Sequence, residues 1–448
     1  MSAARADRRA VVIGLRKTGE AVAAALRAEG WSVTVAEDAP GTPGYAARAA
    51  TVRALGAEIV ESPTDWDTLL AGAELLVPSP GVRPTHPGVA AARAGGIAVR
   101  SEIDLAAERI TCPIVAVTGT NGKTTVTELI AAMLRADGRT VACGGNIGTP
   151  LIESAGTAAD LVVAEVSSFQ LEFTTDAWRP AIAVVLNVAD DHLDWHGSFA
   201  AYAAAKARVF AAQRSDDLVV VAAADPAALA LVRTAPGRVI EARLDADQAD
   251  LRLADGSVVV PVADLPRTLP HDRTNSLVAA EAAHAAGASI GAIAATLRNY
   301  RPPHHRVEFV GERDGVAWFD DSKATNPHAA VRAIEAFDSI VLLAGGQNKG
   351  LDLTALAGPI DRVRAVVAIG QAADEIVAAF GDRRPVVVAT SMREAVAAAA
   401  RLARHGDRVL LSPGCASYDW YSGYDERGDD FAREVRTLLT EPEPEAER

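Results

Sequence analysis

"IVAVTGTNGKTTVTELI", residues 114–130, sets an apolar run, a Gly/Thr/Asn turn and a helix-forming stretch around one lysine, Lys123. A short apolar run bounded by a turn reads as a buried strand, and the residues after the turn continue at helical spacing. This strand-turn-helix order is that of a phosphate-binding loop. Backbone N–H groups at the helix start cradle phosphate, a lysine reaches the outer phosphates and a hydroxyl holds Mg²⁺. Val117 stands where the full pattern begins with glycine, so the turn consists of Gly119, Thr120, Asn121, Gly122, Lys123, Thr124 and Thr125. Gly119 and Gly122 still permit the bend, and the lysine with its two threonines still supplies a cation and hydroxyls. Binding of a nucleoside triphosphate follows, on a P-loop NTPase-like α/β domain.

At 448 residues the chain is longer than one hydrophobic core usually supports, which predicts two or three domains. Upstream of the loop, residues 10–37 read as strand, Gly turn, amphipathic helix and a second strand ending in Glu37. With "AELLVPSPG" and "GIAVRSE" this βαβ unit extends to a Rossmann-like domain over residues 1–100. Downstream, "ADLVVAEVSSFQ", "AIAVVLNVADDH" and "DDLVVVAAAD" are strands of the central domain, residues 101–302. "LRLADGSVVVPV" alternates about an Asp-Gly turn and predicts an antiparallel hairpin at the sheet edge. Pro302 and Pro303 stop the preceding helix and mark a boundary. Beyond it, "SIVLLAGGQNKG", "AVVAIG", "RPVVVAT" and "DRVLLSPG" alternate with Ala-rich helices in a third, Rossmann-like α/β domain, residues 303–448. The tail "TEPEPEAER" reads as disordered.

Hydrophobic residues at 49% and charged residues at 23% are a globular composition. A net charge of −14 argues against nucleic acid and anionic membrane surfaces as partners, and favours phosphorylated small molecules. Cys112, Cys143 and Cys415 are far apart, so neither a disulfide framework nor a zinc site is indicated. The start of the chain has no apolar leader and no run spans a bilayer, so the expected location is the cytoplasm. Of the 44 basic residues only Lys17, Lys123, Lys206, Lys323 and Lys349 are lysine, so each lysine is a candidate for a role that arginine cannot fill.

Glu165 ends the apolar run "LVVAE", and a carboxylate at a strand end facing a phosphate loop suits Mg²⁺, which prefers hard oxygen donors. His192 stands among Asp190, Asp191 and Asp194, where structural and ligand readings are level. Lys206 falls on a helix, where a lone lysine usually belongs to a solvated face. "GLRKTG" imitates a dinucleotide fingerprint, but Arg16 replaces the glycine that lets backbone approach pyrophosphate.

"TGTNGKTT" resembles the loop of the Mur ligases and of the folylpolyglutamate synthetases, and further strings extend the resemblance from Val11 to about Phe431. In the Mur ligases the lysine matching Lys206 is carbamylated, which turns a cation into an oxygen donor. The resemblance therefore implies two Mg²⁺ ions, one held by Thr124 and Glu165 and the other by His192 and carbamylated Lys206, with Lys123, His192 and Lys206 catalytic. "HDRTNSLVAA" is similar to the family's HNxxNxLAA, with Asn275 on adenine, although Asp272 departs from the usual Asn. Arg306 of "HHRVEFV" and Asp321 complete the implied ATP contacts. The first domain then holds a UDP group through Leu15, Arg16, Glu37 and Ser79, aided by Asn146.

"DSKATN" is similar to the stretch in the family's D-glutamate-adding members, and it implies Lys323, Thr325, Lys349, Ser417 and Tyr424 as D-glutamate contacts. Tyr424 stands where phenylalanine is usual. The implied activity is ATP-dependent joining of D-glutamate to UDP-N-acetylmuramoyl-L-alanine by a cytoplasmic monomer. Competing readings are another Mur ligase, a folylpolyglutamate synthetase, a nucleotide-binding module without catalysis, and a nicotinamide oxidoreductase, against which Arg16 counts.

Overall fold

Strands buried on both faces need apolar residues at every position, and this chain carries many such runs. The computed structural model describes residues 8–42, 44–244, 249–301 and 304–440. The predicted boundary at Pro302–Pro303, the tail after Thr440 and the extreme N-terminus lie outside the described residues. The chain forms two compact units, one of residues up to 188 with 200–268 and 272–300, the other of 189–199, 269–271 and 301 onward. Among the described residues no helix is long and apolar enough to cross a membrane.

The first unit contains two parallel sheets. In the five-stranded one, β1 (Arg9–Ile13), β2 (Ser32–Glu37), β3 (Glu58–Glu61), β4 (Leu75–Pro78) and β5 (Ala98–Val99) lie in the order β3-β2-β1-β4-β5. In the six-stranded one, β6 (Ile114–Thr118), β7 (Val141–Gly145), β8 (Leu161–Glu165), β9 (Ile182–Val185), β10 (Leu218–Ala222) and β11 (Arg238–Ala242) lie in the order β11-β10-β9-β6-β8-β7. Each order reverses at its first strand, so the crevices at the carboxyl ends of β1 and β6 are the places where a doubly wound sheet binds ligands. One apolar core joins the two sheets, running from Val12 and Val77 to Ala116, Trp178 and Phe210.

The predicted hairpin forms from β12 (Asp250–Arg252) and β13 (Val258–Pro261), but as a sheet of its own rather than at the edge of the larger one. Leu251, Val259 and Val260 are buried with Ile293 and Leu297 of the helix Ile290–Asn299. Side-chain burial, not a ladder to the larger sheet, holds the paired hairpin in place.

The second unit holds β14 (Glu308–Arg313), β15 (Val316–Asp320), β16 (Ile340–Gly345), β17 (Val363–Ile369), β18 (Val386–Ala389) and β19 (Arg408–Leu411) in the order β14-β15-β19-β16-β17-β18. The four strands from β16 to β19 are parallel, as their apolar runs predict. β14 and β15 form an antiparallel hairpin that the sequence reading passed over. Its turn is Asp314-Gly315, both at positive φ (53° and 72°), the two-residue geometry whose twist matches the strands.

Two buried acids on the short helix Glu102–Ala107 receive opposite treatment. Asp104 accepts hydrogen bonds from Thr175 N (2.8 Å), Thr175 Oγ1 and Arg100 Nε (2.5 Å). Glu102, 1% exposed, accepts from Ile152 N (2.7 Å) through one oxygen, while the other has no hydrogen-bond partner. Burial pushes the Glu102 carboxyl up to about 7. A folded-state pKa above the unfolded value means stability that is present at low pH and lost as pH rises through about 7. Glu102→Gln should therefore match the natural protein near pH 5 and exceed it near pH 8 by on the order of 2–3 kcal/mol, read as a widening gap between their melting temperatures.

Candidate active site

The fully buried β6 delivers the chain to Gly119, and the helix Lys123–Ala136 starts directly after Gly122. Gly122 has φ 87°, and a β-carbon there would lie 2.8 Å from Asn275 Oδ1, so only glycine lets the Asn275 carboxamide close on the loop. Lys123 Nζ donates to the carbonyls of Gly119 (3.0 Å) and Thr120 (2.9 Å). Lys206, 1% exposed on the helix Phe199–Ala207, donates to the same Gly119 oxygen at 2.8 Å. Its ammonium lies 4.5 Å from the centre of the Tyr202 ring, whose hydroxyl meets Thr120 Oγ1 at 3.0 Å. Lys206 is thus buried against the loop, not on a solvated face.

Asn187, just past β9, clasps the loop from the other side. Its Oδ1 accepts from Asn121 N (2.8 Å), its Nδ2 donates to Asn121 O (2.9 Å) and its carbonyl accepts from Thr120 N (2.9 Å). The sequence reading missed Asn187 and Tyr202. A polar residue ending an apolar strand was the available signal for Asn187, the same logic that singled out Glu165. For Tyr202 the signal was its place one helical turn before Lys206.

Glu165 ends β8 and is 2% exposed. Its Oε1 accepts from Asn146 Nδ2 (2.7 Å), while Oε2 is buried without a hydrogen-bond partner. The Thr125 hydroxyl is likewise buried and unsatisfied, and Thr124 is half-buried at the helix start. An orphaned carboxylate oxygen and threonine hydroxyls are the kinds of donor that fit a hard divalent cation. Asn146, expected on the UDP group, has one amide hydrogen committed to Glu165. His192 belongs to the second unit, at φ 53°, with its N–H on Asp191 Oδ1 (2.9 Å). In that same unit Asn326 Nδ2 donates to Asp191 Oδ2 (3.1 Å).

Of the residues expected on UDP, Leu15, Arg16, Glu37 and Ser79 stand at the carboxyl ends of β1, β2 and β4, whereas Asn146 follows β7 of the other sheet. Glu37 Oε2 accepts from Leu15 N (2.5 Å) and Oε1 from Ala39 N (2.8 Å), so its carboxylate braces the turn. The Leu15 side chain is buried, Arg16 is exposed ahead of the helix Lys17–Ala28, and Ser79 Oγ donates to Gly14 O (3.2 Å). Lys17 Nζ donates to Gly148 O at 2.6 Å. At the divergent position, Asp272 forms a two-pronged ion pair with Arg267, Nη2 to Oδ1 at 2.6 Å.

In the second unit Asp321 follows β15 and is fully buried. Its Oδ1 accepts from Val307 N (3.3 Å), beside Arg306, and its Oδ2 from Ser412 Oγ (2.7 Å). Burial pushes it up to about 7. Lys323 lies 5.6 Å from the centre of the Tyr424 ring, and Lys349 stands in the same relation to Tyr418, a residue the sequence reading did not single out. Thr325 is half-buried, its N–H on Lys323 O (2.9 Å), and Ser417 is 2% exposed.

Comparison with known proteins adds an independent line. The chain matches the Mur ligase MurD-like N-terminal domain over residues 8–101, the Mur ligase middle domain over 117–259 and the glutamate ligase domain of Mur ligases over 305–415. It is 44% identical to the UDP-N-acetylmuramoylalanine–D-glutamate ligase of Frankia casuarinae, covering 95% of this chain and 93% of that one. It is 41% identical to the proteins of the same name from Desulfosudis oleivorans (96% and 97% covered) and Thermobifida fusca (96% and 98%). Among solved structures, MurF from Acinetobacter baumannii superposes with a TM-score of 0.61 at 16% identity (90% and 91% covered). The UDP-N-acetylmuramate–alanine ligase of Thermotoga maritima gives 0.56 at 18% (96% and 99%), a likeness of fold.

If Asn187 holds the loop in its binding shape, Asn187→Ala should weaken ATP binding by roughly tenfold, the loss of about 1–2 kcal/mol of hydrogen bonding. Titration calorimetry reads this directly, and an unchanged Kd would mean that the loop keeps its shape unaided.

Proposed function

This chain belongs to the Mur ligase family, and we propose that it joins D-glutamate to the L-alanine carboxylate of UDP-N-acetylmuramoyl-L-alanine at the expense of ATP, in cytoplasmic peptidoglycan precursor synthesis. The observation that supports the ligase reading is the meeting of Lys123 and Lys206 on the Gly119 carbonyl, in the unit whose Glu165 has an oxygen left without a partner. The amino acid is argued from "DSKATN" and from the names of the relatives above. No observation favours a nicotinamide cofactor, and Arg16 stands where glycine would be needed.

A carboxylate does not condense with an amine at neutral pH, so its oxygen first attacks the γ-phosphorus of ATP, releasing ADP and leaving an acyl phosphate. The D-glutamate amine then attacks the acyl carbon, and the tetrahedral adduct expels phosphate to leave the amide as the nitrogen gives up its proton. The N–H groups of residues 119–125 and the Lys123 ammonium hold the phosphates and stabilise charge that develops on the transferring group. Asn275 packs on Gly122 and would face adenine, and Arg306 and Asp321 are also assigned to ATP. Thr124 and Glu165 would hold one Mg²⁺ and His192 with carbamylated Lys206 another, ions that supply charge neutralisation on the phosphoryl oxygens. Burial favours a neutral lysine amine, the form that adds CO₂, and arginine offers no such nitrogen. Leu15, Arg16, Glu37, Ser79 and Asn146 are assigned to the UDP group. Lys323, Thr325, Lys349, Ser417 and Tyr424 are assigned to D-glutamate, whose two carboxylates call for cations and hydroxyls.

The deciding assay is phosphate release from ATP with UDP-N-acetylmuramoyl-L-alanine and, in turn, D-glutamate, L-glutamate, L-alanine or a diamino acid. Release should depend on D-glutamate and give a product one glutamyl residue heavier. Release with a different amino acid alone would leave the ligase chemistry and refute the substrate. Lys206→Ala and Lys206→Arg should each lower kcat by roughly 10²-fold or more, since neither can carry a carbamate. Full activity in either variant at any CO₂ and Mg²⁺ concentration would remove the modified lysine from the mechanism.

A further inference from the structure

The residues assigned to D-glutamate come from separate stretches of the second unit, and one side chain ties these stretches together. Arg427, on the helix Tyr424–Thr440, is 1% exposed. Its Nε donates to Ser322 Oγ (2.9 Å), and its Nη2 to the carbonyls of Ser322 (2.9 Å) and Cys415 (3.1 Å). Its Nη1 donates to the carbonyls of Cys415 (3.2 Å) and Ala416 (3.3 Å). Ser322 precedes Lys323, and its own hydroxyl donates to Tyr424 O at 2.7 Å. Ala416 precedes Ser417 and pairs in both directions with Gln347 (2.8 and 3.1 Å), on the loop that carries Lys349. Gly346, at φ 128°, closes the arrangement, since a β-carbon there would stand 2.4 Å from Ala416 O and 3.1 Å from Arg427 Nη1.

A buried guanidinium is usually matched by a carboxylate, because desolvating an unpaired charge is costly. Among the described residues none is within ion-pairing distance of Arg427, and Asp419 and Asp320 act on it only from further away. Burial pushes its pKa down to about 10, which leaves it charged at neutral pH. Fork geometry explains why an arginine is used, since five N–H vectors in one plane reach four acceptors on two loops.

We propose that Arg427 is the positioning residue of the amino-acid site, its fork setting Lys323, Ser417 and Tyr424 in place and its unmatched charge favouring a substrate with two carboxylates. The inference rests on the D-glutamate reading of this site. It does not require Arg427 to touch substrate.

Steady-state kinetics of the full-length enzyme with Arg427→Lys and Arg427→Met test it. The KM for D-glutamate should rise at least about tenfold in the lysine variant and further in the methionine variant. The kcat at saturating D-glutamate and the KM for ATP should stay within about threefold. A D-glutamate KM within about twofold of the natural enzyme, or a loss shared by all three substrates, would overturn the proposal and leave Arg427 a packing residue. Should neither variant fold, Ser322→Ala removes the Nε acceptor at the cost of one hydroxyl, and an unchanged D-glutamate KM there would be equally fatal. Natural enzyme that releases no phosphate with D-glutamate would instead sink the substrate reading, and the inference with it.

Discussion

Two lysine ammonium groups share one backbone oxygen, and much of the first unit serves to hold that oxygen in place. Lys123 and Lys206 reach Gly119 O at 3.0 and 2.8 Å, so their nitrogens are at most about 6 Å apart. Two unit charges at that distance repel by on the order of 3 kcal/mol at an effective dielectric of about 20. The repulsion falls when an anion arrives, as a triphosphate would, or when one amine ceases to be a cation, as a carbamate would make it. The Asn187 clasp, the Tyr202 hydroxyl on Thr120 and the Asn275 amide over Gly122 immobilise the turn from three sides.

All three large sheets apply one rule in different ways. Their central strands are buried along most of their length, so polar groups collect at the carboxyl ends, and there the acids divide by how fully they are satisfied. Glu37 accepts two backbone N–H groups and acts as a brace. Asp321 is held by a backbone N–H and a serine hydroxyl. Glu165 keeps one oxygen buried and unbonded. A carboxylate already saturated by its own fold has little left to offer a cation, whereas a half-satisfied one is stabilised by acquiring it.

Whatever depends on local pattern was legible in the sequence. The apolar runs of β6, β8, β9, β16 and β19 became parallel strands, the turn at Gly119–Gly122 precedes a helix, and Glu165 stands at a strand end. What depends on distant partners was not. "RDGV" carries the same Asp-Gly signal as the hairpin that was recognised, yet its short flanking strands alternate poorly, because Phe309 is exposed while Trp318 is buried. Residues 189–199 follow a strand of the first unit but pack with the second, where Asn326 holds Asp191. In "DERGDDF" nothing in the spacing reveals that Arg427, of its charged residues, is the one fully buried. The burial of Lys206 was equally hidden, since a helix position does not say which face is covered.

The shortage of lysine acquires a physical sense from where the five lie. Arginine serves wherever a planar fork meets a planar acceptor: Arg109 on Glu29, Arg179 on Asp217, Arg267 on Asp272 and Arg427 on its carbonyls. Lysine serves where a compact charge must converge on one atom or sit over a ring. Lys123 and Lys206 meet a single oxygen, Lys323 and Lys349 each face a tyrosine, and Lys17 reaches the carbonyl of Gly148. A guanidinium at Gly119 could neither reach neutrality nor accept CO₂. In an arginine-rich background, a lysine retained against that bias marks a point charge that geometry or chemistry requires.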